Sequence, residues 1–333
     1  MSEQTPSPGA LPSIGIDVGG TKIAGALVAA DGTIIERARV RTPAASTDDI
    51  IAAIAELVTG LVPAAAPDGV RGVGVACAAF VDGARGHVWF APNLAWRDVD
   101  LGHRIEALVG LPVVVENDAN AAAWGEYVFG AGRDVDDMVL FTIGTGVGGG
   151  CISDGRLLTG AFGIGGELGH VVLDPDGPRC GCGNTGCLEV YASGSALMRM
   201  ARDLISSGTA QGAELRGRCG GDPDTLTGRD IDELAAAGDP GALALLAELG
   251  TRLGQGIASV CAVLDPRLVV IGGGVSRAGD LLVGPARAAF ERHQAGRGHR
   301  PIPEVVLARL GNDAGMVGAA DRAQVVLAER AAR

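Results

Sequence analysis

Aromatic residues are scarce in this sequence: three Trp, two Tyr and six Phe make up 3% of 333 residues. Proteins that bind nucleic acids without sequence preference stack the bases on exposed aromatic rings, so this scarcity argues against such a surface. The formal net charge of -12 also opposes extended contact with phosphate backbones or anionic membranes. We therefore expect neither nucleic acid nor membrane as a partner.

The sequence also lacks a long apolar run. The longest uncharged runs, such as Met138–Ser153, are rich in Gly and shorter than a membrane span. Residues 1–12 carry Pro, Ser and Glu instead of a basic segment followed by an apolar one, so we expect a cytoplasmic protein. Hydrophobic residues make up 47% and charged residues 20%, a globular composition, and the length suffices for two domains.

Short apolar runs alternate with Ala/Leu-rich stretches along the chain. The longer stretches, residues 50–62 and 242–264, predict helices, and Asp313 to about Glu329 predicts an amphipathic helix capped by Asn312 or Asp313. Strands that alternate with helices indicate an α/β fold with largely parallel, buried sheets. The runs that predict strands are residues 14–16, 23–28, 73–76, 113–115, 138–143 and 268–271.

Two segments resemble each other weakly. Residues 14–28 and residues 139–152 each predict a strand, a tight Gly turn and a second strand, followed by an Asp-Gly reversal. Two copies of one hairpin suggest two related halves that face each other across a cleft, although Gly-rich hairpins also resemble each other by chance.

One histidine and three cysteines form an H-x9-C-x-C-x4-C pattern, and these residues are His170, Cys180, Cys182 and Cys187. Four ligands of this kind suit a tetrahedral zinc ion. Disulfide bonding is the alternative, but thiols remain reduced in the cytoplasm expected for this chain. Glu167 and Glu189 flank the pattern, so a structural zinc ion would hold both carboxylates in place.

The first glycine-rich segment, residues 17–22, reads Asp-Val-Gly-Gly-Thr-Lys. Gly19 and Gly20 let backbone N–H groups approach a phosphate without a Cβ atom in the way. Thr21 and Lys22 add a hydroxyl group and a cation, and Asp17 suits a Mg²⁺-bound water. An ordinary hairpin turn remains the alternative.

A second glycine-rich segment, residues 143–150, contains partial G-x-G-x-x-G matches, but no helix is predicted after it. A second phosphate-binding hairpin therefore fits better than a dinucleotide site. A third predicted strand ends in residues 272–274, where either a flat adenosine group or a simple strand-to-helix turn is expected. The candidate nucleotide contacts of these segments are Gly144, Thr145, Gly146, Gly272 and Gly273.

Polar residues 116–118 follow a fully apolar predicted strand and precede a predicted helix over residues 119–128. Ligands of open α/β folds bind at the carboxyl ends of strands, where a carboxylate can act as general base. A helix N-cap is the alternative. Asn93, in a loop beside Pro92, fits a sugar ligand or a turn residue equally well, and we expect Trp96 to pack in the core.

The chain resembles the ROK family of bacterial sugar kinases, and within it the actinobacterial type of glucokinase, from about Ile14 to the C-terminal helix. The resemblance rests on five motifs in the family's order: residues 17–22, 116–120, 144–150, 167–170 and 180–189. It implies an actin-like ATPase fold of duplicated ribonuclease-H-like halves, with two domains around a cleft. Residues 1–115 and 313–333 are then expected to form the small domain, and residues 116–312 the large one. Family members are commonly homodimers or homotetramers.

The resemblance further implies ATP-dependent phosphorylation of glucose at its 6-hydroxyl, with Mg²⁺ and a structural Zn²⁺. By motif position, Asp118 is the expected general base, and the two glycine hairpins are the expected phosphate loops. His170 is expected to bind zinc through one ring nitrogen and a sugar hydroxyl through the other. The expected sugar ligands are Asn93, Asn117, Asp118, Glu167, His170 and Glu189.

Alternatives remain open for the substrate and for the class of protein. The sugar can instead be N-acetylmannosamine, N-acetylglucosamine, mannose or fructose, and polyphosphate can replace ATP as the donor. A sugar-responsive repressor is disfavoured because only thirteen residues precede Ile14, too few for a helix-turn-helix. A non-catalytic sugar sensor is disfavoured by the intact Asp118 and phosphate loops. Ala79 stands where the family usually has Gly, and we expect its Cβ atom to crowd the approach to the sugar.

Overall fold

The apolar runs of the sequence form two five-stranded sheets in the computed structural model, which describes residues 11–65 and 69–332. The strands of the first sheet are β1 (Ser13–Val18), β2 (Lys22–Val28), β3 (Ile34–Arg41), β4 (Val73–Cys77) and β8 (Val113–Asn117). Their order is β3-β2-β1-β4-β8, with β1, β2 and β3 antiparallel and β1, β4 and β8 parallel.

The second sheet repeats this arrangement. Its strands are β9 (Met138–Ile143), β10 (Val147–Ser153), β11 (Arg156–Leu157), β12 (Leu268–Gly272) and β13 (Glu304–Leu307). Their order is β11-β10-β9-β12-β13, with β9, β10 and β11 antiparallel and β9, β12 and β13 parallel. The internal resemblance between the two hairpins is therefore confirmed as two sheets of one topology.

A small antiparallel sheet and ten helices complete the described residues. The small sheet contains β5 (Phe80–Asp82), β6 (His87–Phe90) and β7 (Arg97–Val99). The helices are α1 (Thr47–Leu61), α2 (Leu101–Val109), α3 (Asp118–Phe129), α4 (Glu189–Ala192), α5 (Gly194–Ser206), α6 (Ala213–Arg218), α7 (Gly228–Ala236), α8 (Pro240–Leu264), α9 (Asp280–His293) and α10 (Ala314–Ala331). All six predicted strands and all four predicted helices are present, with ends that differ by a few residues.

The central strands are buried because helices cover the sheets. Every residue of β4 and β12 is buried, as their unbroken apolar sequences predict for parallel strands. Trp96 is fully buried in the core of the first sheet, as predicted, and so is Cys77. Cys219 lies in the turn just after α6 and packs into the core of the second sheet.

Helix α10 connects the two sheets through contacts that leave no room for side chains. A Cβ atom on Gly15 of β1 or Gly74 of β4 would overlap the α10 backbone, and one on Gly318 of α10 would overlap the α3 backbone. Helix α3 in turn lies against β10, where a Cβ atom on Gly150 would overlap the side chain of Ala123. The layers therefore follow each other as first sheet, α10, α3 and second sheet.

The start of α10 differs in part from the prediction. Asp313 occupies the N-cap position, but its carboxylate makes no capping hydrogen bond to the helix. It accepts hydrogen bonds from the Arg37 guanidinium instead, at 2.5 and 2.8 Å. The ion pair thus connects α10 to β3.

The buried Glu126 of α3 holds the chain segment that leads into α10. Its side chain is fully buried, and its carboxylate oxygens accept hydrogen bonds from the backbone N–H groups of Arg309 and Leu310 at 3.0 and 2.6 Å. It also accepts one from Ala131 at 2.8 Å. The predicted division of the chain at residues 115/116 and 312/313 stays a prediction.

Among the helices of residues 11–65 and 69–332, none combines the length and the apolar character that crossing a bilayer requires.

We expect Gly318→Ala to destabilise the protein by roughly 1–3 kcal/mol, because the added methyl group forces α10 away from α3. The control is Gly60→Ala in α1, where a Cβ atom meets nothing within 4 Å. That variant should gain about 0.5–1 kcal/mol from helix propensity. Urea denaturation of the three proteins measures both effects, and an unchanged midpoint for Gly318→Ala would contradict the close packing.

Candidate functional site

The candidate base Asp118 lies at the junction of β8 and α3, at the carboxyl end of a buried parallel strand. Asn117 is the N-cap of α3, and its Oδ1 accepts hydrogen bonds from the N–H groups of Ala119 and Asn120 at 2.9 and 3.0 Å. Its Nδ2 donates to the carbonyl of Ala79 at 3.2 Å. The alternative role of helix N-cap therefore belongs to Asn117. The Asp118 carboxylate accepts a hydrogen bond from the N–H of the next residue, Ala119, at 2.9 Å.

Burial raises the pKa of three carboxyl groups, those of Asp118, Asp17 and Glu167. The pKa of Asp118 itself is raised by burial and lowered in part by the Ala119 N–H. Burial and the charge of Asp118 raise the pKa of Asp17 to about 6, against a smaller opposite effect of Lys22. Burial, Asp118 and Glu189 raise the pKa of Glu167 to about 7. These mutual effects place the acidic candidates of four separate motifs in one cluster.

A raised pKa has two chemical consequences here. A general base works best when its pKa approaches the working pH, so the shift at Asp118 favours proton abstraction from a hydroxyl group. Ionised carboxylates held close together also favour a divalent cation between or beside them. Perturbed carboxyl groups at the end of a sheet are typical of a functional site.

The first glycine hairpin joins β1 to β2 and lies at the same sheet edge. The Gly19 N–H donates to the Lys22 carbonyl at 3.0 Å, and the Gly19 carbonyl accepts from the Thr42 hydroxyl at 2.6 Å. The Thr42 N–H also donates to the Thr21 carbonyl at 3.1 Å. Gly20, Thr21 and Lys22 are exposed, so the tip of the hairpin is free to contact a ligand.

The second hairpin, between β9 and β10, is tied to the start of α5. The carbonyl of Gly144 accepts from the Gly194 N–H at 2.7 Å, and that of Thr145 accepts from the Ser195 hydroxyl at 2.7 Å. Gly273 follows β12 with a φ of 86°, and a Cβ atom there would lie 2.5 Å from the backbone of Ile143. The two glycine-rich segments of the second sheet therefore meet at one end of it.

The candidate zinc ligands His170, Cys180, Cys182 and Cys187 converge. One donor atom from each lies within 4.8 Å of all the others. The Cys182 and Cys187 Sγ atoms are 3.7 Å apart, and Cys180 Sγ lies 3.6 Å from His170 Nδ1. Tetrahedral zinc with bonds of about 2.3 Å to sulfur and about 2.0–2.1 Å to nitrogen requires separations of roughly 3.6–3.8 Å. The four side chains therefore fit zinc.

The pKa values of Cys180 and Cys187 are raised, whereas hydrogen bonds lower the pKa of Cys182. Burial and the neighbouring thiols raise the pKa of Cys187 to about 12. A bound metal ion would have to displace these protons, as is usual for thiolate sites.

The same loop places both flanking glutamates. His170 Nδ1 faces Cys180, while its Nε2 lies 3.9 Å from Glu167 Oε2. Glu189 Oε2 accepts a hydrogen bond from the Val147 N–H at 3.0 Å, and Cys180 Sγ lies 3.6 Å from its Oε1. Glu189 thus joins the cysteine cluster to the second hairpin, and the two ring nitrogens of His170 face different partners, Cys180 and Glu167.

Asn93 and Ala79 lie on the side of the first sheet. Asn93 is exposed. It borders the first hairpin, because a Cβ atom added to Gly20 would lie 3.6 Å from the Cβ atom of Asn93. Ala79 is 5% exposed and packs into the core of the first sheet. The methyl group of Ala79 therefore packs mainly against that core.

Sequence reasoning missed several groups that support the site. Thr42 and Ser195 brace the two hairpins, and the buried Glu116 accepts hydrogen bonds from the Asn117 N–H at 3.0 Å and from Asn120 Nδ2 at 3.3 Å. Arg322 of α10 lies 3.8 Å from Glu116. Thr42, Ser195 and Arg322 lie outside the sequence motifs and Glu116 lies within one, but no local pattern indicates these contacts.

A separate pocket of about 440 Å³ lies on the outside of the small sheet and contains none of the candidate residues. Its histidines are already partnered, His87 by Asp98 at 3.0 Å and His103 by Asp100 at 2.8 Å. This pocket does not compete with the cleft as a catalytic site.

Known proteins resemble this chain over most of its length. A family model described as the ROK family matches residues 13–325. A glucokinase from Streptomyces coelicolor is 43% identical over 312 residues, which cover 94% of this chain and 97% of that protein. An N-acetylmannosamine kinase from Escherichia coli is 37% identical over 321 residues, 94% of this chain and 98% of the kinase.

A solved structure gives the same result. The ROK family glucokinase from Streptomyces griseus, in complex with glucose and AMPPNP, superposes with a TM-score of 0.85 at 45% identity. The superposition covers 94% of this chain and 99% of that one. The mixed α/β architecture agrees with the actin-like ATPase fold.

We expect the buried Asp17 carboxyl to make stability depend on pH. Its pKa is about 6 in the folded protein and 3.8 otherwise, so its favourable contribution is complete below about pH 3.8 and lost as pH rises through 6. Asp17→Asn should therefore raise the free energy of unfolding of the ligand-free protein by roughly 1–3 kcal/mol at pH 8, and by little at pH 4.

Urea denaturation at the two pH values measures this difference, and Asp134→Asn, at an exposed aspartate, is the control. An equal gain at both pH values would show that the amide acts through something other than the lost charge.

Proposed function

The chain belongs to the ROK family, and we propose that it is an ATP-dependent glucokinase, which transfers the terminal phosphoryl group of ATP to the 6-hydroxyl of glucose. The observation that supports this proposal is that Asp118, the two glycine hairpins and the His170 loop lie close together. Glucokinases cover nearly the whole chain at 43–45% identity, and one of them binds glucose and an ATP analogue.

Asp118 is the proposed general base. Its carboxylate takes the proton of the sugar 6-hydroxyl while the oxygen attacks the terminal phosphorus, and the bond to the bridging oxygen of ADP breaks. The raised pKa of Asp118, caused by its burial, supports this role because it makes the carboxylate a stronger base. Since phosphoryl transfer depends mainly on positioning and charge stabilisation, the other residues act by holding the two substrates.

The proposed sugar ligands approach from both sides of the cleft. Asn93 and Asn117 belong to the side of the first sheet, and Glu167, His170 and Glu189 to the loop with the cysteines. Carboxylates and amides offer the paired hydrogen bonds that sugar hydroxyls require. The Nε2 atom of His170 supports its part in this set because it faces Glu167, away from the cysteines.

The two hairpins are the proposed phosphate loops, formed by residues 17–22 and 144–146. Their exposed backbone and Lys22 provide N–H donors and a positive charge for the donor's phosphates. Gly272 and Gly273 are the proposed contacts of the adenosine. Mg²⁺, bound near Asp17 and Asp118, would supply neutralisation of the phosphate oxygens when present.

A structural zinc ion is proposed at His170, Cys180, Cys182 and Cys187, supported by the fit of the four donor atoms. When bound, it would fix the loop that carries Glu167 and Glu189. A homo-oligomer, a cytoplasmic location and the division into domains remain proposals drawn from the family resemblance.

A coupled assay of ADP and sugar 6-phosphate formation with Mg²⁺-ATP tests the function, across glucose, mannose, fructose and the two N-acetylhexosamines. We expect strong turnover with glucose. Asp118→Asn should retain glucose binding, measured by calorimetry, and lose at least ~100-fold in kcat because the general base is gone. Near-normal turnover by this variant would exclude Asp118 as the base, and turnover with an N-acetylhexosamine alone would change the assigned substrate.

We expect about one zinc ion per chain by elemental analysis, and Cys182→Ala should lower the metal content because three ligands hold zinc less tightly. Glucose affinity should fall as well, roughly tenfold, as the loop with Glu167 and Glu189 loosens. Cys261→Ala, at a buried cysteine of α8, is the control and should retain its zinc. A metal-free protein with full activity would refute the zinc site.

A further inference from the structure

Strand β3 carries three arginines on one face. Arg37, Arg39 and Arg41 alternate along the strand, so their side chains point the same way at intervals of roughly 6.6 Å. In the antiparallel register, Arg41 lies opposite Lys22, the last residue of the first phosphate hairpin. The four residues thus form a row that we call the basic row, and it ends at the hairpin.

The basic row lies on the same face of the sheet as Asp17. Asp17 and Arg39 both pair with Ala24 in the register, one from each side. Arg37, farthest from the hairpin, reaches Asp313 at the start of α10 at 2.5 Å. The row therefore follows the face that α10 covers and leads toward the end of β1 where Asp17 lies.

The charges of the row are only partly balanced. Arg37 is paired with Asp313, but Arg39 and Arg41 are exposed and make no ion pair with a carboxylate in residues 11–65 and 69–332. Like charges directly opposite each other across an antiparallel pair are destabilising, and Arg41 and Lys22 stand in that relation. An anion between them would relieve the repulsion.

The end of β3 is tied to the hairpin, so the distance between the two is fixed. Thr42, the residue after Arg41, donates its backbone N–H to Thr21 at 3.1 Å and its hydroxyl to Gly19 at 2.6 Å. Thr42 is 7% exposed. Arg41 is thus held in a constant position beside the backbone that is proposed to bind phosphate.

We propose that Arg39 and Arg41, together with Lys22, bind the phosphate chain of the phosphoryl donor, which extends the donor site along β3. This rests on the proposed function. Guanidinium groups form paired hydrogen bonds with phosphate oxygens, and successive cations match a ligand with successive charges. The ligand chemistry is a linear chain of phosphoanhydrides, whether it comes from a nucleoside triphosphate or from inorganic polyphosphate.

The test is the double variant Arg39→Gln/Arg41→Gln, assayed at saturating glucose with Mg²⁺-ATP and, separately, with inorganic polyphosphate. We expect the KM for the donor to rise about tenfold, as the loss of charged hydrogen bonds implies. The KM for glucose and kcat at saturating donor should change less than about twofold, whereas a merely structural role would alter all three. The loss should shrink at high salt because the contacts are exposed.

Two further variants serve as controls. Arg156→Gln removes an equally exposed arginine from β11, the corresponding edge strand of the second sheet, and should leave the KM for the donor unchanged. Arg39→Lys/Arg41→Lys keeps the charge and should recover part of the donor affinity.

The comparison of ATP with polyphosphate shows which part of the donor's phosphate chain the basic row contacts. A higher KM for both donors means that the basic row contacts the phosphates nearest the reaction, and a higher KM for polyphosphate alone means that it holds a longer chain. An unchanged KM for every donor that the wild type uses would overturn the proposal.

Binding of inorganic tripolyphosphate by calorimetry, without sugar, separates this proposal from the proposed function. If the wild type phosphorylates no sugar, the proposed function fails, yet weaker tripolyphosphate binding by the double variant still supports the basic row. Equal dissociation constants for wild type and double variant would refute the row in either case.

Discussion

The close approach of α10 and α3 is the constraint on which the rest of the molecule depends. Gly15 and Gly74 let α10 touch the first sheet, Gly318 lets it touch α3, and Gly150 lets α3 touch the second sheet. At each of these places a side chain would separate the layers. The positions of the two hairpins relative to Asp118 therefore depend on four residues that have no side chain.

The site brings carboxylates close together, and their burial and mutual repulsion oppose this arrangement. Asp17, Asp118 and Glu167 are brought together in partly buried surroundings, and burial together with mutual repulsion raises the pKa values of Asp17 and Glu167. The packing of α10 and the cysteine loop has to hold this arrangement against its own repulsion. The same repulsion makes the site attractive to a divalent cation, and burial raises the pKa of Asp118, which favours its acceptance of a proton.

Glu189 connects two segments that are separate motifs in the sequence, the cysteine loop and the second glycine hairpin. One of its oxygens accepts a hydrogen bond from Val147, beside the second hairpin, and the other lies near Cys180 of the cysteine–histidine group. His170 similarly belongs to the cysteines on one side and to Glu167 on the other. The cysteine loop, Glu167, Glu189 and the second glycine hairpin are thus one connected structure.

The sequence by itself determined the buried strands of the two five-stranded sheets, the long helices, the repeated hairpin and the cysteine–histidine pattern, because each depends on neighbours within a few residues or on a fixed spacing. The sequence placed Asn117 and Asp118 in one polar cluster. Only the tertiary structure showed that Asn117 caps α3, so that Asp118 is not the capping residue. Tertiary structure alone also decided that Asp313 pairs with Arg37 and that Thr42 supports the first hairpin. Such contacts join residues far apart in the chain, and they form only after the layers have packed, so no local pattern encodes them.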